Sequence, residues 1–299
     1  MYLYHFDMNN FPFGHTPDTK LFCPTNTHIE AINVLLFSIN SGEAFCKITG
    51  EVGSGKTMLC RLLLKKLEDN RTLAYIPNPN ISTRSLHYAL AKELGLRVNS
   101  NSREDQISQS IQTRLIKLNK SKGAVVLIID EAQTLSDEAL EALRLFTNIE
   151  TEQKKLLQII LFAQPELDKK LKNKKLRQIK QRISFSYQLK KLSASQTLIY
   201  IRHRLNRTCN SHQIHINVFT TFILFLISKG TPRLINILCH KSLLLAYAKN
   251  KYQITLINVI KSAIDTDSVD HFLIRHLKFT VTTILLSISS TALAFFGGS

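Results

Sequence analysis

The chain has 299 residues, enough for more than one packed unit, and its 44% hydrophobic content fits a globular body. Lysine and arginine number 39 against 22 aspartates and glutamates, a formal charge of +17 that favours anionic partners (nucleotides, nucleic acid or acidic lipid) without ranking them. Five cysteines with no C-x-x-C argue against a disulfide framework or a zinc site, and the opening MYLYHFDMNN lacks the basic and apolar regions of a secretory signal, so the bulk of the chain is expected in a reducing cytoplasm.

An aromatic and proline-rich loop, FPFGHTPD at 11–18, leads into an amphipathic stretch near 27–40 with Ile29, Ile32, Leu35, Leu36 and Ile39 at helical spacing. Short apolar runs then alternate with helical patterns: AFCKIT, TLAYIP, AVVLIID, LLQIILFA and ISFSYQL. Strands alternating with helices predict a parallel α/β sheet. After residue 190 strand signals stop. Ser193 and Gln196 form a capping-box pattern that opens a helix to about Arg207, and a second helix covers about 217–228 before Gly230. Pro232 opens a third, to about Lys249, and Thr255 precedes a fourth, to about Asp265. The closing run 279–299 carries no charge; as a helix it would reach roughly 30 Å, one hydrocarbon core. Arg275 and Lys278 precede it, so the positive-inside rule would keep the rest of the chain cytoplasmic. The other reading is a last core helix.

Between the first strand and a helical pattern stands GEVGSGKT, a full G-x-x-x-x-G-K-[ST]. Its glycines let successive backbone N–H groups face phosphate oxygens at a helix N-terminus. The expected nucleotide-binding set is Gly50, Glu51, Val52, Gly53, Ser54, Gly55, Lys56, Thr57 and Met58, with Lys56 on the β- and γ-phosphates and Thr57 on Mg²⁺. Asp130 ends the AVVLIID strand as a second Mg²⁺ residue, and Glu131 follows as the group that polarises the attacking water. Taken alone, these two acids also read as solvated residues opening the next helix. Gln164, at the end of LLQIILFA, would sense the γ-phosphate or hold the water, or simply start the turn before Pro165. The acid-free segment 169–191 reads as a solvated basic helix or as the source of an arginine finger, Arg177 or Arg182, reaching a neighbouring subunit. Arg233 would fold onto the nucleotide or pair with a surface acid.

Taken in order, the phosphate loop, the D-E pair, the strand-end glutamine, the R-x-x-x-x-R segment and the G-x-P-R before a helix resemble an AAA+ ATPase with its helical lid. Finer features, FPFGHTPD, GEVGSGKT, IIDEAQTLS, AQPEL, LRQIKQRI and GTPRLINILC, resemble the general secretion pathway protein A family over roughly residues 1–265. That family includes an ATPase of mannose-sensitive haemagglutinin (type IV) pilus biogenesis. The resemblance implies an α/β P-loop fold with a helical lid; together with the element pattern and the closing apolar run, this divides the chain into a loop and first helix at 1–43, a nucleotide-binding domain at 44–190, a helical lid at 191–270 and a transmembrane helix expected at 275–299. It implies ATP and Mg²⁺ as cofactors, sensor-1 and sensor-2 roles for Gln164 and Arg233, and self-association into an oligomer or ring. It also implies an inner-membrane location and partners among pilus or secretion assembly proteins. A DNA-handling ATPase of the transposition-helper type is the alternative; the charge of +17 suits it, the absence of an evident reader motif and the apolar tail do not.

Overall fold

All five predicted strands form, as β1 (Phe45–Thr49), β2 (Leu73–Ile76), β3 (Val125–Ile129), β4 (Leu157–Ala163) and β5 (Ile183–Gln188). They come from a computed structural model that describes residues 2–14, 16, 18–99, 102–150, 155–210 and 214–269. The described parts divide into two units: Pro17–Lys190 makes one, and Met1–Thr16 with Lys191–Ser299 makes the other.

In the first unit the five strands are parallel and ordered β2-β3-β4-β1-β5. A sheet covered on both faces buries every position of its central strands, which is why β3 is a continuous apolar run and β1 and β4 are fully buried with only Lys47, Thr49 and Gln158 polar. In β3, Val125, Leu127 and Ile129 pack on one side with α4 (Thr83–Glu93), α5 (Glu104–Lys122) and α6 (Asp137–Phe146), together with the short α7 (Glu166–Lys170) and α8 (Arg177–Arg182). Val126 and Ile128 pack on the other side with α2 (Asn26–Asn40) and α3 (Lys56–Leu67). The alternation is the pleat itself. β5 alternates between half-buried and exposed residues, as suits a strand at the edge.

The amphipathic stretch forms α2, but its buried stripe is Ala31, Leu35 and Ile39; Ile29, expected inside, is 45% exposed. Two buried polar groups in the sheet are matched. Lys47 of β1 pairs with Asp168 of α7. The Gln158 amide donates to the carbonyls of Ile39 (3.0 Å) and Glu43 (3.1 Å), closing the C-terminal end of α2. The basic segment is not one helix, since α8 ends at Arg182 and the chain passes directly into β5.

The second unit holds α9 (Ala194–Thr208), α10 (Val218–Ser228), α11 (Pro232–Tyr247) and α12 (Leu256–Ile264). Their starts follow the sequence signals. Ser193 and Gln196 make the reciprocal capping box, Asn217 and Thr255 cap α10 and α12, and Pro232 lies in the first turn of α11. Gly230 is required twice over. Its φ is +68°, and an added Cβ would stand 2.0 Å from the carbonyl oxygen of Leu192, whose own N–H donates to the Gly230 carbonyl at 2.9 Å. Two features differ from the sequence expectation. A two-residue parallel pair, β6 (His215–Ile216) with β7 (Gln253–Ile254), lies among the helices. The N-terminal stretch, expected to belong with 17–43, instead packs in the helical unit: α1 (Tyr2–His5) brings the Tyr2 hydroxyl to His240 at 3.0 Å, and Arg204 donates to the Pro12 carbonyl at 2.9 Å. Phe6 and Phe13 are fully buried there, so Phe13, read as part of a loop, serves as core.

Among the described residues no helix is long and apolar enough to cross a membrane. The expected span at 275–299 lies outside the described residues.

Candidate functional site

The sheet order brings three sequence motifs to one edge of the first unit. β4 lies between β1 and β3, so the loop leaving β1, the acids ending β3 and the glutamine ending β4 fall side by side. The Gly50 N–H donates to the Ala163 carbonyl at 3.1 Å, tying the loop to the end of β4.

Residues 50–55 curl around the N-terminus of α3, with Gly53 at φ +77° and Gly55 at φ +99°. Only glycine adopts these angles cheaply, and the turn leaves backbone N–H groups at the positive end of the helix dipole. Glu51 and Val52 are exposed at the tip. Met58 is buried in α3, leaving its main chain as the part available to a ligand. Lys56 is 5% exposed, and its Nζ donates to the carbonyls of Gly50 (2.7 Å) and Glu51 (3.1 Å). Burial pulls the Lys56 pKa down, while the carboxylates of Glu131, Asp130, Glu51 and Glu166 oppose that shift.

The Thr57 hydroxyl donates to Asp130 Oδ2 at 2.9 Å, and Asp130 Oδ1 accepts from the Glu131 N–H at 3.0 Å. Asp130 is 3% exposed; burial raises its pKa, and the Thr57 and Glu131 hydrogen bonds work against the rise. A buried carboxylate beside a hydroxyl, at the foot of a phosphate loop, is the donor set that Mg²⁺ takes when phosphate oxygens and water complete its shell. The residues therefore fit both a nucleoside triphosphate and its metal. Among the described residues no group of three or more His, Cys, Asp or Glu is placed to hold a metal by itself.

Glu131 adopts φ +53°, a left-handed angle costly for a residue with a Cβ. Its carboxylate accepts two amides on Oε2: Gln164 Nε2 at 2.9 Å and Gln133 Nε2 at 2.5 Å. Gln133 Oε1 in turn accepts the Gln164 N–H at 3.0 Å. Gln164 thus meets the Glu131 carboxylate directly. Gln133 was not among the expected site residues, although it stands in the quoted D-E-A-Q run.

The two finger candidates separate. Arg182 is half-buried, and its Nη1 donates to Thr147 Oγ1 (2.7 Å) and the Arg144 carbonyl (3.4 Å), closing the C-terminal end of α6. Arg177 starts α8 exposed, and its side chain makes no hydrogen bond or ion pair among the described residues; only its main-chain N–H is engaged, with the Lys174 carbonyl. Arg233 is exposed in the first turn of α11, within the helical unit. A cation there gains nothing from the helix dipole, so its placement is not explained by helix stability.

Residues 39–171 match the AAA domain family. General secretion pathway protein A of Aeromonas hydrophila is 37% identical over 255 residues, covering 85% of this chain and 46% of that protein, so the chain spans about half of its relative's length. Among solved structures, the Aeropyrum pernix ORC2 protein in its ADPNP-ADP complexes is similar with a TM-score of 0.66 at 16% identity, over 88% of this chain and 74% of that one. The Aeropyrum pernix ORC1 protein in complex with DNA gives 0.63 at 17% identity, over 85% and 68%. The Thermotoga maritima RuvB Holliday junction branch migration motor gives 0.54 at 16% identity, over 85% and 72%. At these identities the likeness is one of fold.

Proposed function

The chain belongs to the general secretion pathway protein A family of AAA ATPases, and from that premise we propose that it is an oligomeric, inner-membrane ATPase that hydrolyses ATP with Mg²⁺ to assist assembly of a type IV pilus or type II secretion machine. The observation that carries the catalytic part is the meeting of the Thr57 hydroxyl with Asp130, one residue before a left-handed Glu131. Loop N–H groups and Lys56 bind the triphosphate. Thr57 and Asp130 would hold Mg²⁺, which supplies charge neutralisation at the phosphates. Glu131 orients and polarises the water that attacks the γ-phosphorus, and Gln164 and Gln133 fix where its carboxylate points. The part in a secretion machine rests on the likeness to the Aeromonas hydrophila protein.

Arg177 is the finger in this reading, because Arg182 is already engaged within its own subunit. Arg177→Ala is expected to abolish turnover while leaving nucleotide affinity intact. Mixing it with Lys56→Ala subunits, which keep their fingers, should restore part of the activity. Arg182→Ala should instead lower stability by about 1 kcal/mol, the value of a typical hydrogen bond. No recovery in confirmed mixed oligomers would remove the finger role from Arg177.

A DNA-handling ATPase is the second reading, favoured by the charge of +17. The tail separates the two. Full-length protein is expected to resist alkaline carbonate extraction from inner membranes, and a chain ending near Asp270 to be extracted. Recovery of the intact protein in the soluble fraction would turn the choice towards DNA.

A further inference from the structure

A groove of about 690 Å³ opens on the first unit among the starts of α4, α5 and α6, lined by none of the residues of the nucleotide site. Its floor is apolar. Ala142, Leu145 and Phe146 of α6 line it, with Ile149 just past that helix, at the i, i+3, i+4, i+7 spacing of one helical face. Leu145 is 57% exposed. Ala139, Leu140, Leu143 and Phe146 already supply the buried face of α6, so the fold leaves Leu145 outside, four residues after Glu141 and seven after Glu138. The walls are acidic: Glu104 and Asp105 come from α5, and Asp137, Glu138 and Glu141 from α6, against one lysine, Lys175. Helix starts explain part of this. Four of the five acids fall in the first turns of α5 and α6, where the helix dipole favours a negative charge. Glu141 falls outside that account. Its Oε2 accepts from Arg144 Nε at 2.7 Å, but its Oε1, shut off from solvent, has no hydrogen-bond donor among the described residues. The chain thus leaves an acceptor open in the wall of an apolar-floored groove.

We propose that the groove is a docking site for an amphipathic basic helix of another protein, its apolar side chains on Leu145 and Ile149 and its lysines or arginines against the acidic walls. Charge selects this occupant. The lining holds five acids and one lysine in a chain whose formal charge is +17, so it repels the nucleic acid and acidic lipid that the rest of the surface attracts. The apolar floor selects against a small polyamine or a metal cation, which would gain nothing from Leu145. A second copy of this chain is basic too, but in its basic segment 169–182 the apolar residues Leu171, Leu176 and Ile179 are at most 3% exposed, sealed in their own core. That surface offers charge without an apolar anchor. An incoming helix with anchors one turn apart matches the spacing of the floor, while the wall charges orient it.

The groove shares no residue with the nucleotide site, so the proposal stands or falls apart from the ATPase reading. The probe is a capped peptide of about four helical turns made of leucine and lysine, leucine at i, i+3, i+4 and i+7, with a benzophenone group in place of one leucine. A leucine and glutamate peptide of the same pattern is the control. Binding to the full chain in detergent is read by fluorescence anisotropy, and the photo-cross-link is mapped by mass spectrometry. Cross-links are expected within 137–149, and the lysine peptide should bind at least about tenfold more tightly than the control. Leu145→Glu adds an acid yet removes the anchor: it should weaken the lysine peptide about tenfold, where simple charge attraction predicts tighter binding. Asp105→Lys combined with Glu138→Lys should also weaken it about tenfold. All three positions are exposed, so melting and peptide-free ATP hydrolysis should match the parent. Cross-links elsewhere, equal binding of the two peptides, or tighter binding by Leu145→Glu would each overturn the proposal. Should Leu145→Glu fail to fold, the charge-reversed pair and the cross-link map decide, an unchanged affinity being the contrary result. Sedimentation without peptide covers the other occupant. Equal mass in parent and charge-reversed pair supports the proposal, and a lower mass in the pair would give the groove to a second copy of this chain and overturn it.

Discussion

Lys56→Ala is expected to lower ATP affinity by at least about a hundredfold while leaving the fold in place. Lys56 is the first residue of α3, and alanine is the most helix-favouring replacement, so the helix loses nothing by propensity. What is lost is a buried ammonium whose hydrogen bonds go to the carbonyls of Gly50 and Glu51. Those two oxygens carry no full charge, whereas phosphate oxygens do, and each contact of the ammonium with phosphate contributes about 1.5–3 kcal/mol. Two such contacts, on the β- and γ-phosphates, account for a factor of at least about a hundred. The ammonium makes no ion pair among the described residues: the carboxylates of Glu131, Asp130, Glu51 and Glu166 are near enough to oppose the fall in its pKa but do not pair with it directly. Calorimetric titration with a non-hydrolysable ATP analogue, beside a melting curve without ligand, checks the expectation. Equal affinity in parent and variant would remove the phosphate loop from 50–57.

The residues that were legible in the sequence share one property: their partners are close along the chain, or their surroundings are uniform. β3 and β4 are buried on both faces, so VVLII and LQIILFA announce themselves as apolar runs. The caps of α9, α10 and α12 are written within four residues of the helices they start. Strand order is different, since nothing within LLQIILFA states that β4 inserts between β1 and β3; yet that insertion carries Gln164 to Glu131. The same limit left Arg177 and Arg182 equivalent. Five positions apart in a basic run, they differ only once Arg182 is seen to close α6. The N-terminal aromatics misled for a related reason. Proline and glycine among them signal a loop correctly, but whose core Phe6 and Phe13 enter depends on contacts with α9 and α11 that no local pattern encodes.

Glu131→Gln is expected to reduce kcat about a hundredfold or more while ATP affinity stays within about threefold. The two effects divide because the geometry divides the acids. Asp130, not Glu131, meets the Thr57 hydroxyl, so the residues that would hold the metal are untouched. Glutamine is nearly isosteric, and its amide oxygen can still accept from Gln164 and Gln133, which now hold Oε2 at 2.9 and 2.5 Å. The left-handed backbone at φ +53° is unchanged in kind, since both residues carry the same Cβ. What glutamine lacks is the negative charge and basicity that polarise the attacking water, and a positioned general base contributes typically 10²–10⁴ in rate. The variant should therefore accumulate bound ATP and stabilise whatever assembly the triphosphate state favours. Single-turnover phosphate release and ATP titration on the same preparation measure the two quantities separately. If hydrolysis persists near the parent rate, the water is activated elsewhere and the two amides converge on Glu131 for structural reasons alone. If affinity falls together with rate, Glu131 belongs to the binding surface, and the assignment of metal and water roles to neighbouring acids must be exchanged.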